Sequence, residues 1–388
     1  MIFLKNFFLI GLILTLLCLI SAPKEQGVRA EESLELNTSY CVLIEPVSRQ
    51  ILYSDHADEK LYPASMTKMM GMLLILEGVE NGKISFDDEV TCSEYAASMG
   101  GTQIFLEQGE TMKLEDLFKS VAINSANDAI VCLGEYLEGS NSAFVKKMNE
   151  RAKSLNMSNT SFANATGFDD PNHYTCPKDM AILACELLKY EEVVLKYSSM
   201  KEAYIRENSS SPFWLVNTNK MLGAYEGMDG LKTGFTSDAG YNLTATAKRN
   251  GVRLVSVVMK EETIKKRSQD TSKLLDYGFS LLKCESVFSS GDIISSCNFQ
   301  NTLQKEIGVK VNDDIRVILN KTEKIEDLLV EVTIHKVEAP VEENEKIGTL
   351  KIITPSGREY FYDVFASEEV VKISYGQIFL NNLKILFS

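Results

Sequence analysis

The sequence predicts an α+β domain, with helices interrupting an antiparallel strand set, followed by a small all-β domain. Three observations support this. Apolar residues recur at helical spacing between residues 65 and 190, strand-like composition takes over from Gly230 to Met259, and short strands follow one another beyond Cys284. At 388 residues the chain can hold a large domain and a smaller companion. The expected division is a leader over 1–30, the mixed domain over 31–283, the β domain over 284–374 and a tail over 375–388.

Residues 41–52 have a strand-like mix broken near Ser48 and Arg49. From Ser65 to Val79, Met66, Met69, Met70, Leu73, Leu74 and Leu76 fall at helical spacing and predict a largely buried helix, which Pro63 keeps from extending backwards. Helices are also expected over 114–123 and 128–137, parted by the small polar run Asn124-Ser125-Ala126-Asn127, whose side chains compete for backbone hydrogen bonds. Two more helices are expected over 142–155 and 177–190, with a loop rich in Asn, Gly, Asp and Pro over 164–174. Strands follow over 231–236, 240–248 and 253–259, the last two joined by the Asn250-Gly251 hairpin signal. A helix over 264–282 then precedes short strands near residues 292–295, 308–311, 314–319, 328–334, 348–353 and 358–365, with turns at Asn312-Asp313, Pro340 and Pro355 to Gly357.

Lys5 precedes an uncharged apolar run from Phe7 to Ile20, short for a membrane span and suited to a secretory signal. Val28 and Ala30 supply small residues before Glu31, and Ile20 and Ala22 a weaker earlier site; the competing reading is an uncleaved anchor. Export is therefore expected, and removal of residues 1–30 would take the formal charge from -14 to -16. That acidity argues against a nucleic-acid partner. Seven cysteines remain after the leader, an odd count with irregular spacing that does not read as a disulfide scaffold in a chain this long, although Cys284 and Cys297 are candidates for a single bridge. The histidines His56, His173 and His335 form no ligand motif, so neither a metal nor another cofactor is expected.

Three small groups can do chemistry. Ser65 and Lys68 share a helix face, and a lysine among Met66, Met69 and Met70 is easier to deprotonate, so it can take the serine's proton as the oxygen attacks a carbonyl. Ser125 can relay a proton, and Asn127 can hold a substrate carbonyl or orient Lys68. Lys232, Thr233 and Gly234 supply a charge and a hydroxyl for a carboxylate, plus a glycine for close approach of an extended peptide to an accessible strand edge. Each group alone also has a plain structural reading: a capping serine beside a surface lysine, interhelix capping, and a turn into a core strand.

Together the three groups follow the order Ser-x-x-Lys, Ser-x-Asn, Lys-Thr-Gly of the penicillin-interacting serine enzymes, with Ala126 in place of the usual middle aspartate. The stretches YPASMTKMM, FANATGFDDPNHYTCPKDMA and GLKTGFTSDAGYNLTATAKRNGVRLVSVVM further resemble the D-alanyl-D-alanine carboxypeptidase family of low-molecular-weight penicillin-binding proteins. That resemblance implies a β-lactamase/transpeptidase-like catalytic domain, with Ser65 as the acylated nucleophile and Lys68 as its general base. It also implies that Ser125 and Asn127 form a second catalytic motif, that Lys232, Thr233 and Gly234 bind substrate, and that the backbone amides of Ser65 and Phe235 form an oxyanion hole. The implied partners are the peptidoglycan pentapeptide, β-lactam antibiotics and, through the tail, a membrane surface. The implied location is the outer face of the cytoplasmic membrane or the cell-wall space. A β-lactamase, a D,D-transpeptidase or an inactive wall-binding protein are the alternatives. Where the family commonly has a histidine, this chain has Ala165-Thr166 before Gly167.

Overall fold

The computed structural model describes residues 34–373 apart from 208, 210, 301, 303, 305 and 337, together with Gly376. The expected leader, with Cys18, and the expected tail lie outside the described residues, Gly376 excepted. Two units divide the chain, Met1–Glu35 and Leu36–Ser388, and every element below belongs to the second.

Strands β1 (Cys41–Glu45) and β2 (Gln50–Asp55) make the first hairpin, bent at Arg49. Later strands β7 (Met228–Thr236), β8 (Gly240–Arg249) and β9 (Val252–Glu261) complete an antiparallel sheet of order β2-β1-β9-β8-β7, which leaves β7 at an edge. Asn250 and Gly251 turn β8 into β9 with φ of 49° and 82°, as the Asn-Gly pair requires.

The helices expected from periodicity form with shifted ends. They are α1 (Lys68–Glu80), α3 (Leu114–Asn124), α4 (Asn127–Glu138), α5 (Asn141–Ser154), α6 (Pro177–Leu187) and α8 (Ile264–Leu281). The first begins later than expected because Ala64–Thr67 wind as a 3-10 turn. Helix α1 is apolar on all sides and buried from Lys68 to Leu76, since α3, α4, α5 and α6 surround it. Cys176 and Pro177 start α6, and the Thr263 hydroxyl accepts from the Lys266 amide to cap α8.

Alternation along the strands separates the two faces of the sheet. Val42, Ile44, Val255, Val257 and Met259 join the helical core, whereas Leu43 and Leu254 lie against Gly278 of α8. Elements without a periodic signal are short: β3 (Glu89–Thr91), α2 (Glu94–Ala97), β4 (Thr111–Lys113), α7 (Glu191–Ser198) and the hairpin β5 (Glu202–Ile205) with β6 (Phe213–Val216).

Helix α8 runs directly into β10 (Leu282–Phe288), which pairs with β13 (Ile315–Asn320). The strands β11 (Ile293–Asn298), β12 (Glu306–Lys310), β14 (Leu329–Ile334), β15 (Lys346–Ile353) and β16 (Glu359–Ala366) form a second five-stranded sheet of order β11-β12-β16-β15-β14. Cys284 and Cys297 are free thiols, which removes the expected candidate bridge; they sit in different sheets, on β10 and β11. Among the described residues no helix is long and apolar enough to cross a membrane.

Candidate active site

The site begins with a strained entry into α1. Ala64 has a φ of 49°, a conformation that a side chain disfavours, and the 3-10 turn after it stacks residues three apart. Lys68 Nζ thereby lies 2.8 Å from Ser65 Oγ. Lys68 is fully buried, while Ser65 is half-buried. The lysine's other partner is the Thr166 carbonyl, to which Nζ donates at 2.7 Å. A neutral amine that gives one N–H to that carbonyl has its lone pair free to accept the serine proton.

The loop that supplies Thr166 is organised around Asn164, whose Oδ1 accepts from the amides of Thr166, Gly167 and Phe168 at 3.2, 2.7 and 3.1 Å. Gly167 (φ 93°) passes so close to the serine turn that an added Cβ would lie 1.9 Å from the Ala64 carbonyl oxygen. His173 fastens the loop from behind. Its Nδ1 accepts from the Ala163 amide at 3.0 Å, so Nε2 carries the proton and donates to Thr67 Oγ1 at 2.7 Å. Burial pushes the His173 pKa down to about 4, which keeps the ring neutral at pH 7. Sequence reading weighed this histidine only as a metal ligand and missed its place here.

On β7, Gly234 faces the serine turn. An added Cβ would lie 2.6 Å from the Pro63 carbonyl oxygen and 3.2 Å from the Met66 amide nitrogen. The absence of a side chain therefore lets the strand pack directly against the turn. Lys232, two residues earlier, projects to the same face and is buried. The Thr233 hydroxyl donates to that of Thr218 at 2.7 Å. The Thr218 amide donates to the Ile123 carbonyl at the end of α3, which links β7 to the segment that holds Ser125. Phe235 is exposed, with its ring stacked on Tyr241. Asn242 on β8 donates to the Tyr62 carbonyl at 3.0 Å and holds the approach to Ser65 from the sheet side.

Ser125 occupies the left-handed break between α3 and α4 with φ 67°, buried, and among the described residues its hydroxyl has no hydrogen-bond partner. Asn127 opens α4, and its Nδ2 donates to the Gly100 carbonyl at 2.7 Å. The second hydrogen bond of Lys68 thus goes to Thr166, not to Asn127. Among the described residues no hydrogen bond joins Ser125 or Asn127 to Ser65, Lys68 or Lys232.

Electrostatics divides the two lysines. Burial holds the Lys68 pKa well below its ordinary 10.5, the charge of Lys232 lowers it further, and Asp128 opposes both. Lys232 is pushed down to about 7 by burial and by Arg267. An arriving carboxylate would favour the charged form of Lys232.

A half-buried serine hydroxyl against a buried amine, beside a sheet edge in an α+β scaffold, is an arrangement suited to a serine acyl-transfer enzyme. The model of the D-alanyl-D-alanine carboxypeptidase family matches residues 26–263, and that of the penicillin-binding protein 5 C-terminal domain matches residues 283–372. The chain belongs to the D-alanyl-D-alanine carboxypeptidase family. It is 40% identical over 365 residues to the D-alanyl-D-alanine carboxypeptidase DacF of Bacillus subtilis, covering 94% of this chain and 93% of that protein. It is 30% identical over 327 residues to DacA of Escherichia coli, covering 81% and 79%. Among solved structures it is similar to penicillin-binding protein 5 of Haemophilus influenzae, with a TM-score of 0.66, 28% identity and coverage of 87% and 99%.

Proposed function

We propose that this protein removes the terminal D-alanine from peptidoglycan stem peptides ending in D-Ala-D-Ala, and that β-lactams acylate the same serine. The observation that carries this reading is the buried Lys68 amine, 2.8 Å from Ser65 Oγ and held by the Thr166 carbonyl. Lys232 and Thr233 receive the terminal carboxylate. Lys68 takes the Ser65 proton as Oγ bonds to the penultimate carbonyl carbon, and the backbone amides of Ser65 and Phe235 stabilise the oxyanion. Loss of one such donor costs about 3 kcal/mol of barrier in comparable sites. The carbon–nitrogen bond then breaks, the proton passes through Ser125 to the leaving amine, and Asn127 holds the acyl segment. Water hydrolyses the ester and restores Ser65. None of these steps calls on a metal or cofactor.

The matched family models support assigning catalysis to residues 31–283 and a companion role to 284–374. Residues 1–30 act as the export signal, and the tail over 375–388 associates with a membrane surface, so the enzyme works at the outer face of the cytoplasmic membrane or in the wall space. Incubation with a peptide ending in D-Ala-D-Ala should release free D-alanine. No release by folded protein contradicts the reading, rapid turnover of penicillin identifies a β-lactamase instead, and transfer to an added amine a transpeptidase.

A further inference from the structure

A groove of about 410 Å³ opens beyond the end of β7, lined by Lys60, Tyr62, Pro171, Tyr174, Asp238 and Lys260 among others. The three segments that build the candidate site all continue into it. Tyr62 precedes the Ser65 turn, Pro171 and Tyr174 extend the Thr166 loop, and Asp238 lies in the turn after Phe235 and Thr236. The Thr236 hydroxyl donates to Asp169 at 2.8 Å, so strand end and loop are tied together between cleft and groove.

The direction of the substrate follows from the proposed function, on which this inference rests. With the terminal carboxylate at Lys232 and Thr233 and the scissile carbonyl at Phe235, the peptide runs antiparallel to β7. At about 3.3 Å per extended residue, the residue before D-Ala-D-Ala comes alongside the 237–239 turn, at the groove.

The groove is chemically distinctive. Lys60, Lys260 and Asp238 are exposed, and among the described residues none of the three forms an ion pair. Lys60 Nζ sits 4.3 Å from the Tyr174 ring centroid, and Lys260 Nζ 5.4 Å from that of Tyr40. Two cations and one anion without carboxylate or ammonium partners, beside tyrosine walls, complement an aliphatic stem that ends in an amino-carboxylate head.

We propose that this groove is a specificity subsite for the stem-peptide residue immediately upstream of D-Ala-D-Ala, and that it selects a side chain ending in a carboxylate next to an amine over one ending in an amine alone. Lys60 and Lys260 face the carboxylate, Asp238 faces the ammonium, and Tyr62 and Tyr174 cover the methylenes.

The test uses the full chain and two peptides ending in D-Ala-D-Ala. One has lysine as the upstream residue, and the other has the same side chain with a carboxylate added to its terminal carbon. The carboxylated peptide should show a kcat/KM higher by about fivefold, mostly through KM, as expected for partly exposed ion pairs. The double variant K60A/K260A should bring the ratio close to one while leaving penicillin acylation unchanged. In Ser65→Ala, which cannot turn over, the same preference should appear as a difference in Kd by calorimetry. Equal values for the two peptides in the wild type, or a preference that survives K60A/K260A, would overturn the subsite. Absence of D-alanine release from both peptides would count against the proposed activity instead, and the binding comparison would still decide the subsite.

Discussion

In the proposed mechanism Lys68 acts as the neutral amine, and burial together with the charge of Lys232 lowers its pKa towards that form. The acylation rate by penicillin should rise with pH through the lysine's depressed pKa, giving an acid limb well below pH 10.5. Lys232→Gln removes a neighbouring positive charge, so the Lys68 pKa should rise and the limb should move to higher pH. A limb that stays in place in a stopped-flow pH profile would show that the two amines do not interact. Lys68→Ala should slow acylation by about 10² to 10⁴, the usual contribution of a general base. His173 gives a separate test through stability. Folded, the ring stays neutral down to about pH 4, whereas an unfolded histidine binds its proton near 6.5. Protons therefore favour the unfolded chain as pH falls from 6.5 towards 4, and stability is lost across that window. Between pH 7.5 and 5 this one residue should account for about 2 kcal/mol. His173→Asn should show a shallower pH dependence in urea unfolding, and identical slopes for both proteins would contradict the neutral buried ring.

Strand β7, the serine turn and the Thr166 loop work as one assembly because two glycines let their backbones touch. Gly234→Ala should cost about 1 to 3 kcal/mol, the usual range for overpacking, and should slow acylation beyond what lost stability explains, because the displaced atoms are those of the serine turn. Thermal melts paired with acylation rates on the folded fraction would check this; a normal rate at full folding would show that the turn tolerates displacement. Much of this assembly was legible in the sequence. Met66, Met69, Met70 and Leu73 announced the helix, and Asn250-Gly251 announced the hairpin, because both are local signals of period or turn chemistry. The contact of Ser65 with Lys68 was legible for the same reason, since three residues of one turn fix it. Less could be read of what closes through space. Thr166 acts by its carbonyl, which any residue carries, and His173 by contacts 106 residues away in sequence. The contact of Gly234 with the serine turn is of the same kind, because the sequence does not show which backbone lies against it. The short strands β3 to β6 escaped because three or four residues hold too little period to detect.

The charge of -14 and the two-part build give the protein its wider setting. At that net charge, contact with an anionic membrane would have to come from apolar burial, for which the tail offers Ile378, Phe379, Leu380, Leu383, Ile385, Leu386 and Phe387. Protein ending at residue 374 should remain in the supernatant when the longer form sediments with lipid vesicles, and equal partitioning of the two would remove the tail from membrane attachment. The proposed activity turns on a single hydroxyl, that of Ser65. Mass spectrometry of intact and digested protein after brief penicillin exposure examines it most directly. One adduct should form, on the peptide containing Ser65, and Ser65→Ala should abolish it while folding normally. An adduct on a different residue, or none on correctly folded wild-type protein, would contradict the mechanism.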